Sequence, residues 1–175
     1  MTTIVYRDGI IAADSGEFAG GEVRDGAIKV LNTGMYIGGI VGCIQDFRPY
    51  TDWLMEIQED HKNPTTFYRD ADKGHLGSTE SALLLANKAG EMWVLNGVFA
   101  SPRPYVFDAL GSGSDFAMGA LEAGKTAVEA VETAIKYNEG SCGPARYTSF
   151  EHAVTDYDLP LTGLNKSANQ YTVVG

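Results

Sequence analysis

A chain of 175 residues is long enough to bury one sizeable core without disulfides, and its 23 Asp and Glu against 13 Lys and Arg give a formal charge of −10. Such a surface repels a phosphate backbone, which argues against nucleic-acid binding. The longest run of apolar residues and glycine, Met35 to Ile44, falls far short of the roughly 20 residues that cross a bilayer, and no basic-then-apolar leader precedes the first strand; a soluble, cytoplasmic, single domain over residues 1–175 is the expectation.

Met1 to Asp14 reads as a β-hairpin, because two apolar runs flank Asp8-Gly9, a dipeptide suited to a two-residue turn whose central residues both reach positive φ. Once Met1 is removed, Thr2 carries a hydroxyl and a free α-amine on one residue. With a reference pKa of about 7.7 to 8.0, that amine can take the hydroxyl's proton near neutrality, so Thr2 is a candidate nucleophile with its own base. Residues 15–27, rich in glycine and acidic residues and without a period, read as a loop. Ala27 to Asn32 and Met35 to Gly42 read as strands about a Thr33-Gly34 turn. From Gln45 to Asp60, Phe47, Tyr50, Trp53, Leu54 and Ile57 recur at the spacing of one helical face, with Pro49 near the first turn.

Residues 61–80 are polar and irregular, an exposed connection. Ser81 to Asn87 and Glu91 to Asn96 read as strands whose continuous apolar centres predict a sheet covered on both faces. Tyr105 to Leu110 predicts a short strand leading into Gly111-Ser112-Gly113-Ser114, and a helix follows with Phe116, Ala117, Ala120 and Leu121 on one face. Gly124-Lys125 interrupts it. Thr126-Ala127-Val128-Glu129 then has the form of a capping box and opens a second helix, with Val128, Val131 and Ile135 as its stripe; the run from Glu139 to Pro144 ends it.

Rival chemistries find little support. Cys43 and Cys142 are too few and too far apart for a disulfide framework and are expected as reduced, partly buried thiols. His61, His75 and His152 sit in unrelated loops without i, i+4 pairing, so no zinc and no other cofactor is expected. The Gly-Ser-Gly-Ser turn lacks the downstream Gly-Lys-Ser/Thr of a phosphate-binding loop.

Thr2-Thr3-Ile4-Val5, Ala12-Ala13-Asp14-Ser15, Ile28-Lys29-Val30, Gly42 after an apolar strand, and Gly111-Ser112-Gly113-Ser114 before a helix resemble, in order and approximate spacing, the proteasome β-subunit and HslV-like family of N-terminal nucleophile (Ntn) hydrolases. The resemblance runs from residue 2 to about residue 145. It implies an α+β fold, a four-layer αββα sandwich in which the first strand presents the terminal threonine at one mouth of the two sheets. It also implies a threonine-type endopeptidase. Thr2 would be the nucleophile, Lys29 the cation that keeps its amine neutral and stabilises charge at Oγ, and Asp14 the anchor of Lys29. Gly42 would supply a backbone oxyanion donor, Ser112 would hydrogen-bond near the amine, and Ser141 would match a further serine.

This chain departs from the family twice: it has Gly42-Cys43 where the family has paired glycines, and Asn138 where the family is acidic. An amide can hydrogen-bond but carries no charge, so Asn138 stays outside the catalytic set. The implied partners are copies of the chain in a homo-oligomeric ring and a polypeptide substrate, with an unfolding ATPase compatible as a third. Two alternatives stand beside this reading. A retained Met1 would make the Thr2 amine an amide, which is no base, and leave a non-catalytic structural ring subunit. An Ntn amidohydrolase acting on a small amide would share the nucleophile and differ in its pocket, where residues 15–27 align poorly with the family.

Overall fold

Both residues of the Asp8-Gly9 turn are left-handed, at φ 51° and 76°. They join β1 (Thr3–Arg7) to β2 (Ile10–Asp14) in an antiparallel pair with Ile4 opposite Ala13. The computed structural model describes residues 2–19, 22–43, 46–60, 81–96 and 99–151. Outside the hairpin, β10 (Phe107–Gly111) pairs with β1 and β11 (Ala145–Ser149) with β2, giving a sheet in the order β10-β1-β2-β11. A second antiparallel sheet runs in chain order through β5 (Val30–Asn32), β6 (Tyr36–Val41), β7 (Ala82–Asn87), β8 (Met92–Asn96) and β9 (Phe99–Arg103).

The strands are apolar on successive residues because each sheet is covered on both faces. In β1 and β2, Val5 and Ala12 pack with Ala117, Ala120, Leu121, Ala130 and Ala134 of α2 (Ser114–Glu122) and α3 (Ala127–Tyr137). Their neighbours Ile4, Tyr6, Ile11 and Ala13 face the other way, onto Val30, Ile37, Leu84 and Ala86 of the second sheet. Leu83 and Leu85 of β7 turn from that cluster to Tyr50 and Leu54 of α1 (Phe47–Asp60). This is the period-2 alternation of a strand, with apolar partners on either side. Arg7 fastens the first sheet to the helices, donating from Nη1 to the carbonyls of Leu121 at 2.6 Å and Lys125 at 3.0 Å where α2 ends.

Several expectations change. Residues 15–27 are not a loop throughout: β3 (Gly16–Ala19) and β4 (Glu22–Asp25) form a separate two-stranded ribbon. Phe18 and Val23, opposite each other across the ribbon, are both exposed, so that face imposes no apolar pattern on the sequence. β9 and β11 were not anticipated. β9 is an edge strand that accommodates Pro102 opposite Trp93, as an edge can. Phe116 is not on the buried face of α2; it is 44% exposed and stacks on Tyr137 at 6.1 Å between ring centres. The stripe of α3 is formed by Ala127, Ala130, Val131 and Ala134, with Val128 and Ile135 at its margin. The capping box at Thr126 and Glu129 is present as expected. The connection at 61–80, and with it His61, His75 and His152, lies outside the described residues.

The two sheets meet closely at Gly39, where a Cβ would stand 2.5 Å from Ile4 Cγ2 and 3.2 Å from Ile11 Cγ2. Neither methyl is the end of a long flexible chain, so Gly39→Ala must shift β1 or β6. A loss of about 1 to 3 kcal/mol is expected in urea unfolding, the usual scale of overpacking.

Candidate active site

Asp14 ends β2 with its side chain fully buried. A carboxylate in that position needs donors, and it has three: the Thr3 N–H at 2.8 Å, Lys29 Nζ at 3.0 Å and the Cys142 N–H at 3.3 Å. Lys29 lies just before β5 with its side chain 5% exposed, so the pair is shielded from water on both sides.

Residue 2 is held from the opposite direction. The Ser112 N–H donates to the Thr2 carbonyl at 2.9 Å, and Thr2 is 6% exposed. Gly111 sits at φ 97°, where a Cβ would overlap the Thr2 carbonyl oxygen, so only a glycine lets the Gly-Ser-Gly-Ser turn come this close. A Cβ on Gly113 would likewise overlap Thr3 Oγ1.

Hydroxyls close the circle. Thr3 Oγ1 and Ser141 Oγ share a hydrogen bond of 2.6 Å, and Asn138 Nδ2 donates to Ser141 Oγ at 2.9 Å and to Ser112 Oγ at 3.0 Å. The structure thus brings Thr2, Asp14, Lys29, Ser112 and Ser141 into one network around residues 2 and 3. Gly42, exposed and at φ 106°, follows Val41, whose Cγ1 lies 3.2 Å from the position of a Gly111 Cβ. It flanks the network without entering its described hydrogen bonds. The neighbouring Cys43 N–H is committed to Ser81 Oγ at 2.9 Å.

Sequence reasoning left out three members. Asn138 was set aside for lacking charge, yet its amide joins two of the expected serines. The Thr3 hydroxyl and the Cys142 amide carried no sequence signal, since one is a second threonine in a strand and the other a backbone group. Cys43 is exposed rather than partly buried, while Cys142 is half-buried.

Burial raises the Cys142 thiol above the ordinary thiol pKa, the Asp14 carboxylate adds to the rise, and Lys29 opposes it. Among the described residues no group of three or more His, Cys, Asp or Glu could hold a metal ion, and no helix is long and apolar enough to cross a membrane. A separate open cavity of about 480 Å3, lined by Gly34, Met35, Asn87, Lys88 and Ala89, lies at the far end of β6 and shares no residue with the network.

Among the described residues, two larger antiparallel sheets, a two-stranded ribbon and three helices make up a fold similar to that of HslV. The eukaryotic HslV from Trypanosoma brucei superposes with a TM-score of 0.64 at 19% identity, over 85% of this chain and 98% of that one. BPH from Thiobacillus denitrificans superposes at 0.60 with 22% identity, over 84% and 95% of the two chains, and its complex with epoxomicin at 0.59 with 20% identity, over 84% and 96%. No protein-family model matches the sequence, and no curated protein does. The resemblance read from the sequence therefore holds at the level of the fold.

Removing Lys29 while Asp14 stays buried strands a charge. Lys29→Met is expected to lower stability by about 3 to 5 kcal/mol in urea unfolding, and Asp14→Asn with Lys29→Met to cost less than Lys29→Met alone. The thiolate is the reactive form of cysteine, so a raised pKa slows alkylation near neutrality. Iodoacetamide followed by peptide mass spectrometry should label Cys43 first near pH 7, with Cys142 following only as the pH rises.

Proposed function

We propose that this chain is an N-terminal-threonine peptidase of a self-compartmentalising, HslV-like complex, acting on polypeptide after removal of Met1. The observation that carries the reading is the buried Asp14–Lys29 pair converging with Ser112 and Ser141 on residues 2 and 3, in a fold shared with HslV. The three apolar clusters support reading the sheets and helices as one domain, a four-layer αββα sandwich.

Thr2 Oγ attacks the peptide carbonyl carbon while its proton passes to the Thr2 amine, directly or through a water. The resulting oxyanion is stabilised by a backbone N–H near Gly42. The amine returns the proton to the leaving nitrogen, the C–N bond breaks, and an acyl ester remains on Oγ. A water that gives its proton to the same amine then attacks the ester carbon, and as the C–Oγ bond breaks the amine returns that proton to Oγ, freeing the chain and restoring Thr2. The positive charge of Lys29 disfavours a second cation at the amine and favours negative charge developing at Oγ; Asp14 keeps it in place. Further copies of the chain would enclose such sites in a cytoplasmic homo-oligomeric ring, fed by an unfolding ATPase.

The alternative is a structural ring subunit of the same fold, in which a retained Met1 would leave the Thr2 nitrogen an amide and no base. An amidohydrolase for a small amide would use the same residues on a smaller substrate. Intact mass of protein from the native host separates the first two, since the peptidase requires a chain beginning at Thr2. On such a chain Thr2→Ala should abolish hydrolysis of an unfolded protein and of short peptides with folding nearly unchanged, whereas Thr2→Ser keeps measurable turnover. Full turnover by Thr2→Ala would overturn the assignment, and turnover of small amides alone would favour the amidohydrolase. Epoxomicin, bound by the Thiobacillus BPH, is expected to raise the melting temperature of the Thr2 chain.

A further inference from the structure

Two hairpin turns wall the open cavity at the far end of β6: Gly34 and Met35 stand between β5 and β6, and Asn87, Lys88 and Ala89 lead out of β7. Each turn is fixed by its own side chain. Asn32 Oδ1 accepts the Gly34 N–H at 2.7 Å, and Asn87 Oδ1 accepts the Ala89 and Glu91 N–H groups, both at 3.0 Å. Both turns also hold the end of β11. Asn32 Nδ2 donates to the Ser149 carbonyl at 2.8 Å, and Lys88 Nζ lies 5.9 Å from the centre of the Phe150 ring. The chain therefore leaves β11 at the rim of the cavity, with Glu151 the last described residue and residues 152–175 still to follow.

The cavity suits a short segment better than a folded partner. It measures about 480 Å3, Met35 is its large apolar side chain, and Lys88, exposed and without an ion pair among the described residues, is its charge. A folded partner needs about 1,000 Å2 of well-fitted contact. A segment tethered at the rim meets the cavity at an effective concentration of about a millimolar, so a small seat is enough.

We propose that this cavity seats the segment that follows β11 in the same chain, with Tyr157 in the cavity and Asp156 and Asp158 against Lys88. Residues 152–175 contain these two acidic side chains and no others, and they bracket an aromatic residue whose ring suits an apolar site while its hydroxyl stays at the rim. Tyr157 is six residues beyond Glu151, and six extended residues span about 20 Å, more than the step from Phe150 to Lys88 requires. With a formal charge of −10 the protein repels an acidic segment from most of its surface, so an unpaired lysine beside the point of exit selects where the segment settles. Seated there, it lies at the end of β6 away from Gly42 and the Thr2 network, and the inference holds whether or not Thr2 is catalytic.

The test uses the full chain, nitrogen-15-labelled and unlabelled protein being refolded together from urea. A water-soluble carbodiimide joins an amine to a carboxylate that touches it, and it should link Lys88 to Asp156 or Asp158 in peptides of a single isotope. Links of mixed isotope would assign the seat to a second copy and overturn the proposal, as would the absence of either link. Hydrogen exchange read by mass spectrometry supplies the second measurement. The amides around Tyr157 are expected to exchange about tenfold faster in Lys88→Glu than in wild type, and to slow again when Lys88→Glu is combined with Asp156→Lys and Asp158→Lys. Tyr157→Ser, which alters neither turn, should speed the same amides, and it stands in if Lys88→Glu has lost its cooperative melting. Exchange around residue 157 that is the same in wild type and in these folded variants overturns the proposal.

Discussion

A carboxylate taken out of water costs several kcal/mol unless its oxygens find donors, and Asp14 is buried completely. Its donors come from three separate parts of the chain: Thr3 in the first strand, Lys29 before the second sheet begins, and Cys142 just ahead of the last strand. Apolar contacts such as Ile4 on Gly39 set the spacing of the sheets but not their lateral position, because dispersion is not directional. The hydrogen bonds to Asp14 are directional. They fix where residue 3 stands relative to Lys29 and to the segment that carries Ser141, and every feature of the candidate site is built outward from that point.

Much of this fold could be read from the sequence where local chemistry and tertiary packing agree. Asp8-Gly9 needs positive φ at both positions and has it, and the Thr126 capping box begins the helix it was expected to begin. The Ala82 to Ala86 run is apolar on consecutive residues because α1 lies on one side of the sheet and the other sheet on the opposite side. The ribbon at residues 16–25 escapes notice for the converse reason: β4 and Phe18 are exposed, so no apolar alternation is selected there, and backbone pairing leaves no trace in side-chain type. Phe116 misled because a large aromatic at helical spacing reads as core, while here it is satisfied by stacking on Tyr137 at the surface.

The site divides in the same way. Asp14 ends one apolar strand and Lys29 immediately precedes another, a contrast visible in one dimension, and the two meet as an ion pair fifteen residues apart. The fifth residue of the network, Ser141, was reached through family spacing rather than through any property of Ser141 itself. Asn138 was discounted on charge alone. What matters about its amide is which end faces the serines, and that depends on the Gly140 N–H, a backbone group whose place is settled only when the helix has ended.

The hydrogen bond between Thr3 and Ser141 joins residues 138 positions apart. Closing so long a loop costs conformational entropy that only long-range contacts repay, so such contacts form late. On a ribosome, where synthesis runs from the N-terminus at about 5 to 20 residues per second, the first hairpin can form within the opening moments, yet it waits for nearly the whole domain before Ser141 emerges to complete its surroundings. The end of the chain made first is therefore the last to be finished. A truncated product carries the threonines without the residues that gather around them.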